Sequence, residues 1–197
     1  METERPFTWR DPRFTYADIL TGMRIFLLPF VIYGLVASLP GLTLATLLVI
    51  VVTDLVDGRL ARALGQQRPF GAMLDSTIDW IVIHSLFTVF FLVGVMVWWK
   101  FVPIVAVGIL IGGTQLLSVI KTQALMFQRV LVGKFVGQLE FLYLLVLLAR
   151  TFWLRTDPAQ TFDHAWFALL SIGLVGTCID HVGVLRRLYA TTGPPRA

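Results

Sequence analysis

Charge is scarce in this chain. Asp, Glu, Lys and Arg make up 14% of its 197 residues, against about 25% in soluble domains. Apolar residues reach 57%, more than a soluble fold of this size can bury. An ordinary soluble domain is therefore excluded, and a chain that meets lipid remains. Cysteine is almost missing as well. The lone Cys178 permits no intrachain disulfide and no cysteine-based zinc site. It lies within an apolar segment and reads as a small core residue. No basic patch interleaved with aromatics is present, so the formal charge of +4 fits anionic lipid headgroups and not nucleic acid. Residues 1–16 are polar and the first apolar run is too long for an h-region, so no cleavable signal peptide is expected.

What the chain does have is a series of long apolar runs separated by polar turns. Six spanning segments are expected, over about residues 17–39, 42–64, 71–99, 101–126, 133–153 and 162–189. Each approaches the roughly 20 residues that a spanning helix needs. The first is expected to end at Pro40 and Gly41. The predicted fold class is all-α integral membrane with six transmembrane helices. One transmembrane domain covers 17–191, after an interfacial or cytoplasmic segment over 1–16 and before a disordered tail over 192–197. Lys and Arg bias sets the orientation. With an inner N-terminus, only Lys100, Arg150 and Arg155 fall outside, and every other Lys and Arg falls inside. Both termini are then cytoplasmic.

The second segment carries the chemistry. Residues 42–53 are apolar or small, and Asp54, Asp57, Arg59 and Arg62 follow. Twelve residues cover only about 18 Å of a core about 30 Å thick, so Asp54 is expected in the inner half of the bilayer. Asp54 and Asp57 are three apart and share a helix face, and Asp75 and Asp79 are four apart and share another. A short connection makes the two helices antiparallel neighbours, so four carboxylates can converge. An Asp in the membrane costs roughly 2.5–3.5 kcal/mol, and like charges repel. Arg59 and Arg62 can offset part of this. Hard divalent cations such as Mg²⁺ or Mn²⁺ suit an all-oxygen ligand set better, and there are carboxylates enough for two ions. Gly58, Ala61 and Gly71 leave room for a bulky ligand near the backbone, and the Arg62 fork suits a phosphate. Taken one at a time, each Asp has a simpler reading as half of an interfacial salt bridge.

The full string, Asp54 to Asp79, is D-x-x-D-G-x-x-A-R-x8-G-x-x-x-D-x-x-x-D. It resembles the motif of the CDP-alcohol phosphotransferases, membrane enzymes that build phospholipid headgroup linkages. Thr21 and Arg24 resemble the family's T-x-x-R in the first helix, while Asp18 stands where the family usually has Asn. The resemblance implies a metal-dependent transferase. Asp54, Asp57, Asp75 and Asp79 would hold two Mg²⁺ or Mn²⁺ ions, with Asp79 as general base. Thr21, Arg24, Gly58, Ala61, Arg62 and Gly71 would line the site for the CDP-lipid. CDP-diacylglycerol would donate a phosphatidyl group to a polar alcohol acceptor, and CMP would leave. A homodimer is implied, and the Lys and Arg bias places the site at the cytoplasmic face of what is expected to be a bacterial inner membrane.

Outside the motif, Lys121, Arg129 and Lys134 read either as a pocket for a phosphate-bearing acceptor or as ordinary positive-inside charge. They point to glycerol 3-phosphate as acceptor, which would give phosphatidylglycerol phosphate. Inositol phosphate, a phospholipid or a neutral amino-alcohol are the alternatives. Glu140 is expected to pair with a basic residue across helices or to shape the acceptor pocket. Asp180 and His181 approach the site or make an interhelical contact. His84 reads as a satisfied core histidine, and the aromatic run over 87–99 as a surface facing lipid or a second copy. A divalent-cation or proton transporter is the reading from another class. It would need acids spread through the membrane thickness, whereas here they gather on one side.

Overall fold

The computed structural model describes residues 15–64, 69–122, 131–153 and 157–190. Six helices form: α1 (Tyr16–Val36), α2 (Pro40–Ala63), α3 (Pro69–Leu92), α4 (Trp98–Thr122), α5 (Leu131–Phe152) and α6 (Asp157–Ala190). No strand occurs among the described residues. Residues 1–14 of the expected interfacial segment and the expected tail lie outside the described residues. The chain divides into two compact units, Met1–Val93 and Gly94–Ala197.

In the first unit, α1 packs on both α2 and α3. Its start is fixed by a capping box. The Asp18 backbone N–H donates to the Thr15 hydroxyl at 3.4 Å, and the Thr15 N–H donates to Asp18 Oδ2 at 2.8 Å. From there one face of α1 is buried at Asp18, Thr21, Arg24, Leu28, Val31 and Leu35. The steps of three and four are those of a helix seam. The seam is polar at its N-terminal end and apolar beyond, which decides where chemistry can occur. Leu47 and Ile50 of α2 and Ile78, Val82, Leu86, Phe87 and Phe90 of α3 are buried apolar residues of the same unit. Phe87 and Phe90 thus depart from the expected outward-facing aromatic run. They continue the i, i+3, i+4 face that begins at Asp75 and Asp79, and only the later part of the run, Trp98 and Trp99, is exposed.

Two segment ends differ from expectation. Helix α1 stops at Val36, and Pro40 begins α2 where the first segment was expected to finish. Proline suits a first helical turn, whose N–H groups have no intrahelical partner. The turn between them closes with Leu39 N–H donating to Gly34 O at 2.8 Å, and Ser38 adopts a left-handed φ of 55°. Likewise α3 ends at Leu92, and Gly94 turns the chain at φ 76°. The third segment therefore does not run on to residue 99.

In the second unit, α6 packs on both α4 and α5. Ile104 and Val107 of α4, Val136, Tyr143, Leu144, Leu147 and Leu148 of α5, and Phe167, Leu170 and Leu174 of α6 are buried. Gly173 lets α5 and α6 approach: a Cβ there would lie 2.9 Å from Val136 Cγ2. Four helices are long and apolar enough to cross a membrane, over Asp18–Val36, Met73–Leu92, Trp98–Leu117 and Phe162–Arg186, and α2 adds a shorter apolar stretch over Pro40–Asp54.

Candidate metal centre

The polar end of the α1 seam delivers Arg24 to the first unit's acids. Its side chain is 1% exposed, while those of Asp54, Asp75 and Asp79 are 50%, 40% and 40% exposed. Guanidinium Nη1 lies 3.0 Å from Asp54 Oδ1 on α2. It also donates to Asp79 Oδ1 on α3. Nη2 donates to Asp75 Oδ1 at 2.6 Å. The carboxylates of α2 and α3 thus meet above a guanidinium from the helix that packs on both. One oxygen from each of Asp54, Asp75 and Asp79 falls within 4.8 Å of the others.

This arrangement fits a divalent cation. The donors are all carboxylate oxygens, as a hard ion requires. A cationic group already sits on the same three acids, so the centre is built around positive charge. One guanidinium offsets one of three carboxylate charges, and the partly exposed carboxylates leave a side on which an ion or a diphosphate can approach. Such a centre can neutralise charge on a phosphate ester and place an acid where it can take a proton.

The expected site residues fall as follows. Asp54, Asp75 and Asp79 come together. Asp57, Gly58, Ala61 and Arg62 belong to α2, but their side-chain placements lie outside the described residues. Thr21 is buried one turn before Arg24 on the same face. A Cβ at Gly71 would meet Asp18 Oδ1 at 3.1 Å. The missing side chain at this motif position therefore admits the start of α1 against the start of α3. Arg59, expected to offset the acids, is exposed. Lys121 in α4 and Lys134 in α5 have side chains outside the described residues, as does all of Arg129.

Arg24 as partner of the acids is the feature that spacing along the chain missed. The usable signal was a basic residue well inside the first apolar run, since a charge there needs a partner. A second polar cluster was also missed. In the second unit, Asp163 is 1% exposed and accepts from Lys100 Nζ at 2.8 Å, Arg150 Nη1 at 2.7 Å and Tyr143 Oη at 2.8 Å. Glu140 is buried, and the ion pair expected for it is not formed among the described residues. His84 and His181 each place Nδ1 2.9 Å from the carbonyl one turn earlier, Trp80 and Thr177, and donate to it.

A family model described as CDP-alcohol phosphatidyltransferase matches residues 14–178. Among curated proteins, a "Putative cardiolipin synthase" of Mycobacterium bovis is 34% identical over 101 residues, which is 51% of this chain and 48% of the relative. A protein of the same name from Mycobacterium tuberculosis matches equally. The match spans about half the length of these curated relatives. No solved structure matches the chain.

Proposed function

The chain belongs to the CDP-alcohol phosphatidyltransferase family, and from that premise we propose that it transfers a phosphatidyl group from CDP-diacylglycerol to an alcohol, releasing CMP. Membership makes it a multi-pass membrane enzyme of phospholipid synthesis. The observation that carries the fuller reading is the gathering of Asp54, Asp75 and Asp79 oxygens within 4.8 Å of one another. These acids and Asp57 would hold Mg²⁺ or Mn²⁺, with room in the ligand set for two ions. Bound there, the cations supply positive charge against the diphosphate and the departing CMP.

The chain's own residues do the rest. Asp79 accepts the proton of the acceptor hydroxyl as its oxygen attacks the phosphorus bearing the lipid. A phosphorus–oxygen bond to the acceptor forms, the phosphoanhydride bond breaks, and CMP leaves with the electron pair. Thr21, Gly58, Ala61, Arg62 and Gly71 shape the CDP side of the site. All six helices span the bilayer, both termini are cytoplasmic, the centre opens to the cytoplasm of a bacterial inner membrane, and the enzyme is a homodimer.

Glycerol 3-phosphate is the leading acceptor, because Lys121, Arg129 and Lys134 offer charge for its phosphate. A phospholipid acceptor is the second reading, and the name carried by the mycobacterial relatives favours it. The test supplies purified protein with CDP-diacylglycerol, Mg²⁺ or Mn²⁺ and each acceptor, and measures CMP. Wild type releases CMP with one acceptor, EDTA abolishes release, and Asp79→Asn lowers it by about 100-fold or more, the low end for loss of a general base. Equal CMP release by wild type and Asp79→Asn with every acceptor sinks the reading.

A further inference from the structure

Among the described residues of the first unit Arg24 is the most deeply buried charged group, at 0% exposed, and it is the fully buried side chain of largest volume in the chain's described part. A guanidinium inside a membrane protein is tolerated only where opposite charge surrounds it. Here it meets Asp54 from one helix and Asp75 and Asp79 from another. It stands on α1, which packs on both of those helices. The three acids are each about half open, whereas Arg24 is closed. A ligand approaching the open side meets carboxylates, with the guanidinium beneath them.

We propose that Arg24 is the positioning residue of the acidic centre, a built-in counter-cation that fixes the spacing of the carboxylates and limits the positive charge they still demand. The proposal rests on the metal-centre reading above. It gives Arg24 a role toward the acids in place of direct contact with the CDP-lipid. With the three described acids ionised, Arg24 leaves a net charge of −2 on the group, which one divalent cation would neutralise. Without it the acids would repel across the α2 and α3 faces, and their geometry would depend on whatever cation is supplied. The planar fork matters as well as the charge. Nη1 reaches acids on two helices while Nη2 reaches a third acid, which the single point charge of a lysine cannot reproduce.

The experiment uses the full chain in detergent or nanodiscs and compares wild type, Arg24→Gln, Arg24→Lys and the double variant Arg24→Gln with Asp75→Asn. Thermal midpoints are read in EDTA and in Mg²⁺, and Mn²⁺ binding is read by electron paramagnetic resonance. In EDTA, Arg24→Gln melts roughly 5 °C or more below wild type. Mg²⁺ restores most of that loss and raises the wild-type midpoint by less than half as much. Asp75→Asn in the Arg24→Gln background also restores stability in EDTA, because it removes one of the repelling charges. Arg24→Lys lies between wild type and Arg24→Gln.

A residue that merely fills space gives a different pattern. The loss on Arg24→Gln is then the same in EDTA and Mg²⁺, and Asp75→Asn adds to it; that result overturns the proposal. If Arg24→Gln is obtained only in Mg²⁺, the double variant in EDTA decides, and failure of both to fold also overturns it. None of these readouts involves a CDP substrate. Loss of the transferase reading would show in wild-type CMP release, separately from any of them.

Discussion

Asp163 governs more of the second unit than its single charge suggests. It is the common acceptor for an ammonium, a guanidinium and a phenol, drawn from α4 and α5 onto α6. Lys100 is 2% exposed and lies 5.2 Å and 5.6 Å from the ring centroids of Trp99 and Phe167. The aromatic faces add a weaker attraction to the same ammonium. Asp163→Asn leaves two cations facing a neutral amide, and removal of one partner from a buried ionic group costs about 3–5 kcal/mol. Lys100→Met does the reverse. It lifts the excess positive charge and leaves Arg150 paired with Asp163, so its cost is expected to be less than half as large. Thermal unfolding in one detergent compares the two, and a Lys100→Met loss equal to that of Asp163→Asn contradicts the charge argument. The same contrast explains what was readable at this scale. Asp54, Asp75 and Asp79 announce themselves by helical spacing within one stretch of chain. Arg24 and Asp163 do not, because their partners lie on other helices and no local pattern links them.

Helix packing in the first unit turns on a close approach that sequence could suggest but not locate. Gly34 sits in the last turn of α1, and a Cβ there would lie 2.5 Å from Thr43 Oγ1 and 3.0 Å from Thr43 N. The hydroxyl is already committed to Leu39 O at 2.9 Å, and the backbone nitrogen cannot step aside. Gly34→Ala therefore forces α1 and α2 apart near their shared turn, with an expected loss of about 1–3 kcal/mol from overpacking. Gly22→Ala is the control in the same helix, since no heavy atom lies within 4 Å of its Cβ position. Its expected change runs from neutral to a gain of about 1 kcal/mol, since alanine is the better helix former. Equal losses in the two variants would remove the packing explanation. Helix existence was legible from apolar run length, and all six expected segments have a helical counterpart. Helix ends were less so. Pro40 reads as a breaker in sequence but opens α2, and the turn at Gly94 lies hidden inside an apolar stretch that composition alone extends to Trp99.

Across the whole molecule, one asymmetry organises everything else: the acids lie where α2 ends and α3 begins. In an alternating chain of six spans, the turns after α1, α3 and α5 share one side of the membrane, and those after α2 and α4 share the other with both termini. Lys100, Arg150 and Arg155 alone fall with the first group, so the positive-inside rule assigns that group to the outside. On the proposed six-span topology, the acidic centre would open inward. Length and apolarity single out four helices as long enough to cross a membrane, and α2 stays outside that count because its apolar stretch, Pro40–Asp54, gives way to the acids before it has crossed. Side assignment can be tested with the chain's lone cysteine replaced by serine at Cys178. Single cysteines are then introduced at Ser38, in the turn after α1, and at Leu64, just after α2; both positions are exposed. A membrane-impermeant maleimide applied to intact bacterial cells expressing each variant should label Ser38→Cys and spare Leu64→Cys, which reacts only after the membrane is opened. Labelling of Leu64→Cys in intact cells, with Ser38→Cys protected, would put the acids on the outer face. The inward-facing centre would then fail, although the gathering of the three acids around Arg24 would stand.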